Sequence, residues 1–148
     1  MDHERWMRQA LALADEAAAA GEVPVGCVIV REGRIVGRGR NRREEDRSAL
    51  AHAEMDAIRE ACAALGDWRL TGCGLYVTLE PCPMCAGAIL NARLKWLCYG
   101  ARDENTGSCG SVLNLFEENY GYRPAIYGGI LEAECLERMQ AFFRGLRS

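Results

Sequence analysis

Apolar and polar positions along the chain change period several times, and each change marks an element. Between Asp2 and Ala20, Trp6, Ala10, Leu13 and Ala17 recur at helical spacing and Gly21 ends the run, so an amphipathic helix is expected there. Val23 to Arg31 is a continuous apolar run with β-branched residues, the pattern of a buried strand. Glu32-Gly33 makes a turn, and Arg34 to Asn41 returns as a hairpin partner. Asn41 to Ser48 is a polar, charged loop. Ala51 to Leu65 reads as a second helix with Ile58, Cys62 and Leu65 on its apolar side.

The second half repeats the alternation. Gly74 to Leu79 is a buried strand, Pro83 to Ala92 a helix that is small and apolar on most faces, and Lys95 to Tyr99 another strand. A Gly/Ser/Asn-rich loop covers Arg102 to Val112, a short helical turn fits Asn114 to Glu117, and Ala125 to Tyr127 fits a last short strand. Leu131 to Leu146 closes the chain as a helix, with Cys135, Leu136, Met139 and Phe143 expected inward. This order implies an α/β fold in three layers, a central mixed five-stranded sheet with helices on both sides. The helix between two strands supplies the parallel crossover. At 148 residues the chain is expected to be one domain, 1–148.

Composition narrows the class. A hydrophobic share of 49% and a charged share of 26% exclude a disordered, collagen-like or coiled-coil chain. The longest aliphatic stretch, Val23 to Val30, is far short of the ~20 residues of a membrane helix, and Met1-Asp2-His3-Glu4-Arg5 is unlike the basic start of a signal peptide. A soluble cytoplasmic protein with no membrane partner is expected. Outside Cys82 and Cys85, the cysteines sit largely in apolar runs and read as buried hydrophobes, not a disulfide framework. The net charge of −3 argues against a broad nucleic-acid surface. Between Arg31 and Arg47, however, seven arginines face four acids and leave a local positive excess.

Two short motifs carry the chemistry: His52-Ala53-Glu54 and Pro81-Cys82-Pro83-Met84-Cys85. Cys82 and Cys85 are one helical turn apart and share a face. The positive end of the helix they begin favours thiolate over thiol. One imidazole and two thiolates make three zinc ligands, and a catalytic zinc site keeps its fourth position for water. Glu54, two residues past His52, is expected to enter the same pocket without ligating, as the proton shuttle of a hydrolytic loss of ammonia. A structural zinc site would need a fourth ligand, for which Cys73 and Cys109 are the candidates. Asn41, at the end of the hairpin strand, offers a donor and an acceptor at the pocket mouth.

His-x-Glu followed by Pro-Cys-x-x-Cys is the pattern of the zinc-dependent nucleobase deaminases. The chain resembles, nearly end to end, the bacterial tRNA-specific adenosine deaminases of the cytidine-deaminase-like superfamily. The matching stretches include Glu22 to Gly26, Gly39 to Arg42, Ala51 to Glu54, Leu75 to Gly87, Gly100 to Asp103 and Ala141 to Arg144. The resemblance implies conversion of the wobble adenosine, position 34 of a tRNA anticodon loop, to inosine. It implies one zinc ion per subunit and a homodimer with residues near the third helix at the interface. It assigns His52, Cys82 and Cys85 to zinc, Glu54 to catalysis, and Asn41, Ala53, Pro81, Asp103 and Arg144 to the substrate. The chain departs from the family where Ser48-Ala49-Leu50 replaces Asp-Pro-Thr, where Asn105 stands for a common lysine, at Asn119-Tyr120-Gly121-Tyr122, and in a short basic tail from Arg144 to Ser148. All four lie outside the zinc ligands. A deaminase of free purine bases or nucleosides, such as guanine, is the alternative on the same scaffold.

Overall fold

The computed structural model describes residues 2–146; Met1, Arg147 and Ser148 lie outside the described residues. Its elements run α1 (His3–Ala19), β1 (Gly26–Arg31), β2 (Arg34–Arg40), α2 (Ala53–Leu65), β3 (Gly74–Leu79), α3 (Pro83–Asn91), β4 (Trp96–Ala101), a 3-10 turn (Leu115–Glu117), β5 (Ala125–Tyr127) and α4 (Glu132–Leu146). The sheet has the order β2-β1-β3-β4-β5. β1 is antiparallel to β2 and β3, and β3, β4 and β5 are parallel. Among the described residues no helix is long and apolar enough to cross a membrane.

Local chemistry explains most boundaries. The Asp2 carboxylate caps α1 by accepting the Arg5 N–H at 3.0 Å. Glu32 and Gly33 both take positive φ, as a two-residue hairpin turn requires. Gly66, left-handed at φ 66°, stops α2. Val23 to Val25 do not join β1, which starts at Gly26.

Two apolar layers enclose the sheet. On one face α1 and α4 cover it, with Trp6, Met7, Ala10, Leu11 and Cys135 against Val28, Val30, Tyr76 and Cys98. On the other, α2 and α3 bring Ala53, Ala57, Ala61, Ala86 and Ile89 against Cys27, Ile29, Leu75, Val77 and Leu97. Each fully buried Leu or Ile here contributes roughly 1.5–3 kcal/mol.

Three helical faces differ from the expected ones. In α1 the buried set adds Met7, Leu11 and Ala14, while Leu13 is only partly covered. In α2 the fully buried apolar positions are Ala53, Ala57 and Ala61, and Ile58, Cys62 and Leu65 flank them. The cause is on the facing strand: a Cβ at Gly37 would strike the Ala57 carbonyl, and one at Gly39 the Ala53 carbonyl, so strand and helix pack backbone to backbone and leave room only for alanine. In α4 only Cys135 is buried; Leu136 and Phe143 are exposed and Met139 is partly covered.

Candidate active site

The two motifs meet beyond the carboxyl ends of β2, β3 and β4. His52 is the N-cap residue of α2 and Cys82 that of α3, both with extended backbone and neither using its side chain to cap. Their side chains are therefore free for other partners. Pro83 at the first position of α3 fixes its entry and places Cys85 one turn on. The His52 Nδ1 atom lies 3.6 Å from the Cys82 sulfur and 3.5 Å from that of Cys85.

All three ligand atoms lie within 4.8 Å of one another, and among the described residues no other side chain joins them. Cys73 and Cys109 are outside the cluster. Tetrahedral zinc with a nitrogen at about 2.0 Å and sulfurs at about 2.3 Å sets nitrogen and sulfur about 3.5 Å apart. The donor set and its spacing therefore fit zinc.

Electrostatics follow the geometry. The hydrogen bond from Cys85, opposed by burial and helped by His52, holds the Cys82 thiol down at about 4. Cys85, sharing its proton with Cys82 and buried, is pushed up. The hydrogen bond with Cys82 raises His52 above its usual value. Glu54 is buried in the first turn of α2, and burial lifts its carboxyl to about 7. Burial pushes the Cys109 thiol up to about 12.

A cavity of about 290 Å³ opens onto this cluster. Its walls include His52, Ala53, Glu54 and Cys82, apolar faces from Val23, Val25, Leu79 and Met139, and the polar groups of Asn41, Arg43 and Thr106. Asn41 is buried; its Oδ1 accepts the Arg43 N–H at 3.3 Å, and its amide nitrogen makes no hydrogen bond to the described residues. Asp103 also lines the cavity, but its carboxylate turns back on its own loop, accepting from the N–H groups of Asn105 (2.9 Å) and Thr106 (3.3 Å) and the Thr106 hydroxyl (2.9 Å).

Of the residues expected at the substrate, Asn41, Ala53 and Asp103 border the cavity. Pro81 and Arg144 do not. Pro81 is buried and its carbonyl accepts the Ser108 N–H at 2.9 Å. Arg144 borders a neighbouring depression with Arg102, Asn105 and Phe143.

Two buried carboxylates, unnoticed in the sequence, hold the loops that wall the cavity. Glu22 accepts the N–H groups of Glu44 (3.1 Å) and Glu45 (2.7 Å). Glu80 accepts from the N–H groups of Asp103 (3.0 Å), Cys109 (2.8 Å) and Ser111 (3.2 Å) and from the Ser111 hydroxyl. Burial alone would raise Glu80, but these hydrogen bonds outweigh it and hold the carboxyl below its ordinary value. The available signal was an acid embedded in apolar sequence, Glu22 before Val23 and Glu80 after Leu79, since a buried charge must find partners.

Comparison with known proteins places this geometry. The model of the MafB19-like deaminase family matches residues 1–147. A tRNA-specific adenosine deaminase of Bacillus subtilis is 48% identical over 145 residues, covering 97% of this chain and 90% of the relative. A structure solved in a study of A-to-I editing by tRNA:A34 deaminases superposes with a TM-score of 0.87 at 44% identity, covering 90% of this chain and 98% of the other. The structure of a guanine deaminase from Bacillus subtilis is more distant, with a TM-score of 0.68 at 36% identity over 97% of this chain and 95% of the other.

Proposed function

The chain belongs to the tRNA-specific adenosine deaminases of the cytidine-deaminase-like zinc superfamily, and from that membership we propose that it converts adenosine 34 of tRNA to inosine by hydrolysis. The observation that carries the reading is the meeting of His52, Cys82 and Cys85 with a non-ligating, buried Glu54 at the floor of one small cavity. The higher sequence identity of the adenosine-editing relatives favours them over guanine deaminases.

In this reading His52, Cys82 and Cys85 hold one zinc ion. A bound zinc supplies Lewis acidity that brings a water's pKa toward about 7. The remaining work belongs to the chain. Glu54, poised near 7, takes the proton of the attacking water, passes it to a ring nitrogen of adenine, and later gives one to the departing amine. Water enters at C6 and ammonia leaves, so the product is inosine. Val23, Val25 and Leu79 give the base an apolar slot, and the Asn41 amide nitrogen supplies a donor to the base or its ribose. A base in an anticodon loop is already partly unstacked, so extruding it costs little.

We also infer a homodimer. Helix α3 buries Cys85, Ala86, Ile89 and Leu90 and leaves Met84, Gly87 and Ala88 partly open, an apolar helix surface suited to a second copy. Eight free cysteines fit a reducing, cytoplasmic setting. The decisive experiment is ammonia release from an anticodon stem-loop, adenosine, guanine and cytidine side by side. Turnover of the stem-loop is expected; turnover of guanine alone would overturn the reading.

A further inference from the structure

We propose that Arg43 binds a phosphate of the RNA chain beside the target nucleotide, and that this contact distinguishes a polynucleotide from a free purine. The inference rests on the tRNA reading above.

The size of the cavity sets the first condition. At about 290 Å³ it lies at the low end of small-molecule clefts. A base with its sugar fills such a space, so the adjoining phosphates stay at the mouth. Arg43 is the one arginine or lysine among the residues that border the cavity. The two other cavity acids outside catalysis, Glu80 and Asp103, are spent on hydrogen bonds within the protein and leave the guanidinium unclaimed.

Its charge is also unspent elsewhere. The neighbouring arginines are held in ion pairs: Arg40 pairs with Glu45 at 2.8 Å, and Arg42 with Glu45 at 3.4 Å and Asp56 at 3.5 Å. The Arg43 side chain makes no ion pair or hydrogen bond to the described residues. A long cationic side chain without a partner is common on a surface. Arg43 differs in that its backbone is fixed on both sides at the mouth of the cavity.

That fixing is explicit. The Arg43 N–H donates to Asn41 Oδ1 at 3.3 Å and its carbonyl accepts the Ser48 N–H at 3.2 Å. The next two N–H groups, of Glu44 and Glu45, are held by the buried Glu22 carboxylate. Only the side-chain rotamers of Arg43 remain to be ordered when a phosphate arrives, which keeps the entropic cost of the contact low. The planar guanidinium then offers two parallel N–H donors, the geometry that suits a phosphate.

The test compares wild type, Arg43→Ala and Arg43→Lys on an anticodon stem-loop RNA and on free adenosine, at several salt concentrations. For Arg43→Ala, KM on the stem-loop is expected to rise about tenfold with kcat little changed, since a charged hydrogen bond is lost. The slope of log affinity against log salt should become shallower by about 0.7, as one single-strand phosphate contact disappears. Arg43→Lys should restore the slope and only part of the affinity, and kinetics on adenosine should not move. A wild-type salt slope and KM in Arg43→Ala would overturn the proposal, as would an equal loss on adenosine, which would reveal a structural role. A wild type inactive on the stem-loop would instead overturn the tRNA reading, and this proposal with it.

Discussion

The Glu80 carboxylate accepts the backbone N–H of Cys109 at 2.8 Å across 29 residues of chain, and so ties the end of β3 to the loop that closes one side of the cavity. The same carboxylate takes two more N–H groups and a hydroxyl from that loop. Glu80→Ala strands these donors in a buried place and should cost about 3 kcal/mol. For a chain of this length that lowers Tm by roughly 6–12 °C. Glu80→Gln keeps one acceptor and should lose less. Thermal unfolding of the two variants checks this; a Glu80→Ala protein melting with wild type would refute it.

The metal cluster gives a second expectation. Purified protein should carry about one zinc per chain. Removing any one of His52, Cys82 or Cys85 leaves two ligands on one ion, and metal content and turnover should fall together. Elemental analysis of His52→Ala and Cys85→Ser measures this. Either variant retaining full zinc and full activity would remove that residue from the ligand set.

Glu54 should behave in the opposite way. Its carboxyl is buried and lifted to about 7, which marks a group held at a cost to the fold. Glu54→Ala should keep its zinc, lose about 10²- to 10⁴-fold in turnover, and melt no lower than wild type. Full turnover in that variant would end the assignment of the proton shuttle.

Much of this was legible in the chain because the signals were local. The apolar runs of β1 and β3, the hairpin turn at Glu32-Gly33 and the spacing of Cys82 to Cys85 each depend on residues close in sequence. What was not legible depends on partners far away. The buried face of α2 is set by Gly37 and Gly39 on β2, whose missing side chains draw in Ala53 and Ala57 and push Ile58 aside. Phe143 and Leu136 follow helical spacing yet stay exposed, because α4 meets the sheet mainly through Cys135. Glu22 and Glu80 each act on backbone more than 20 residues away, which no periodicity reveals.

The Gly39 contact is itself testable. A Cβ there would strike the Ala53 carbonyl in the first turn of α2, next to the His52 N-cap. Gly39→Ala should therefore cost about 1–3 kcal/mol through overpacking and weaken metal binding, because the helix that carries His52 must shift. Zinc titration against a competing chelator reads the second effect. Unchanged stability and affinity would mean that strand and helix are less tightly set than their approach indicates.

Asn41 separates two roles that one residue combines. Its Oδ1 holds the Arg43 N–H at 3.3 Å, while its amide nitrogen has no partner among the described residues and borders the cavity. Asn41→Ala removes both the loop contact and the donor. Asn41→Asp keeps an oxygen for the Arg43 N–H but removes the donor and adds a negative charge. If the amide nitrogen reads the base or ribose, both variants should lose about 10²-fold or more in kcat/KM, since the substrate would be left with an unpaired polar group. Loop order, seen as protection of the Arg43 amide from hydrogen exchange, should fall in Asn41→Ala and persist in Asn41→Asp. An Asn41→Asp enzyme as active as wild type, beside an inactive Asn41→Ala, would show that the residue serves the loop and not the substrate.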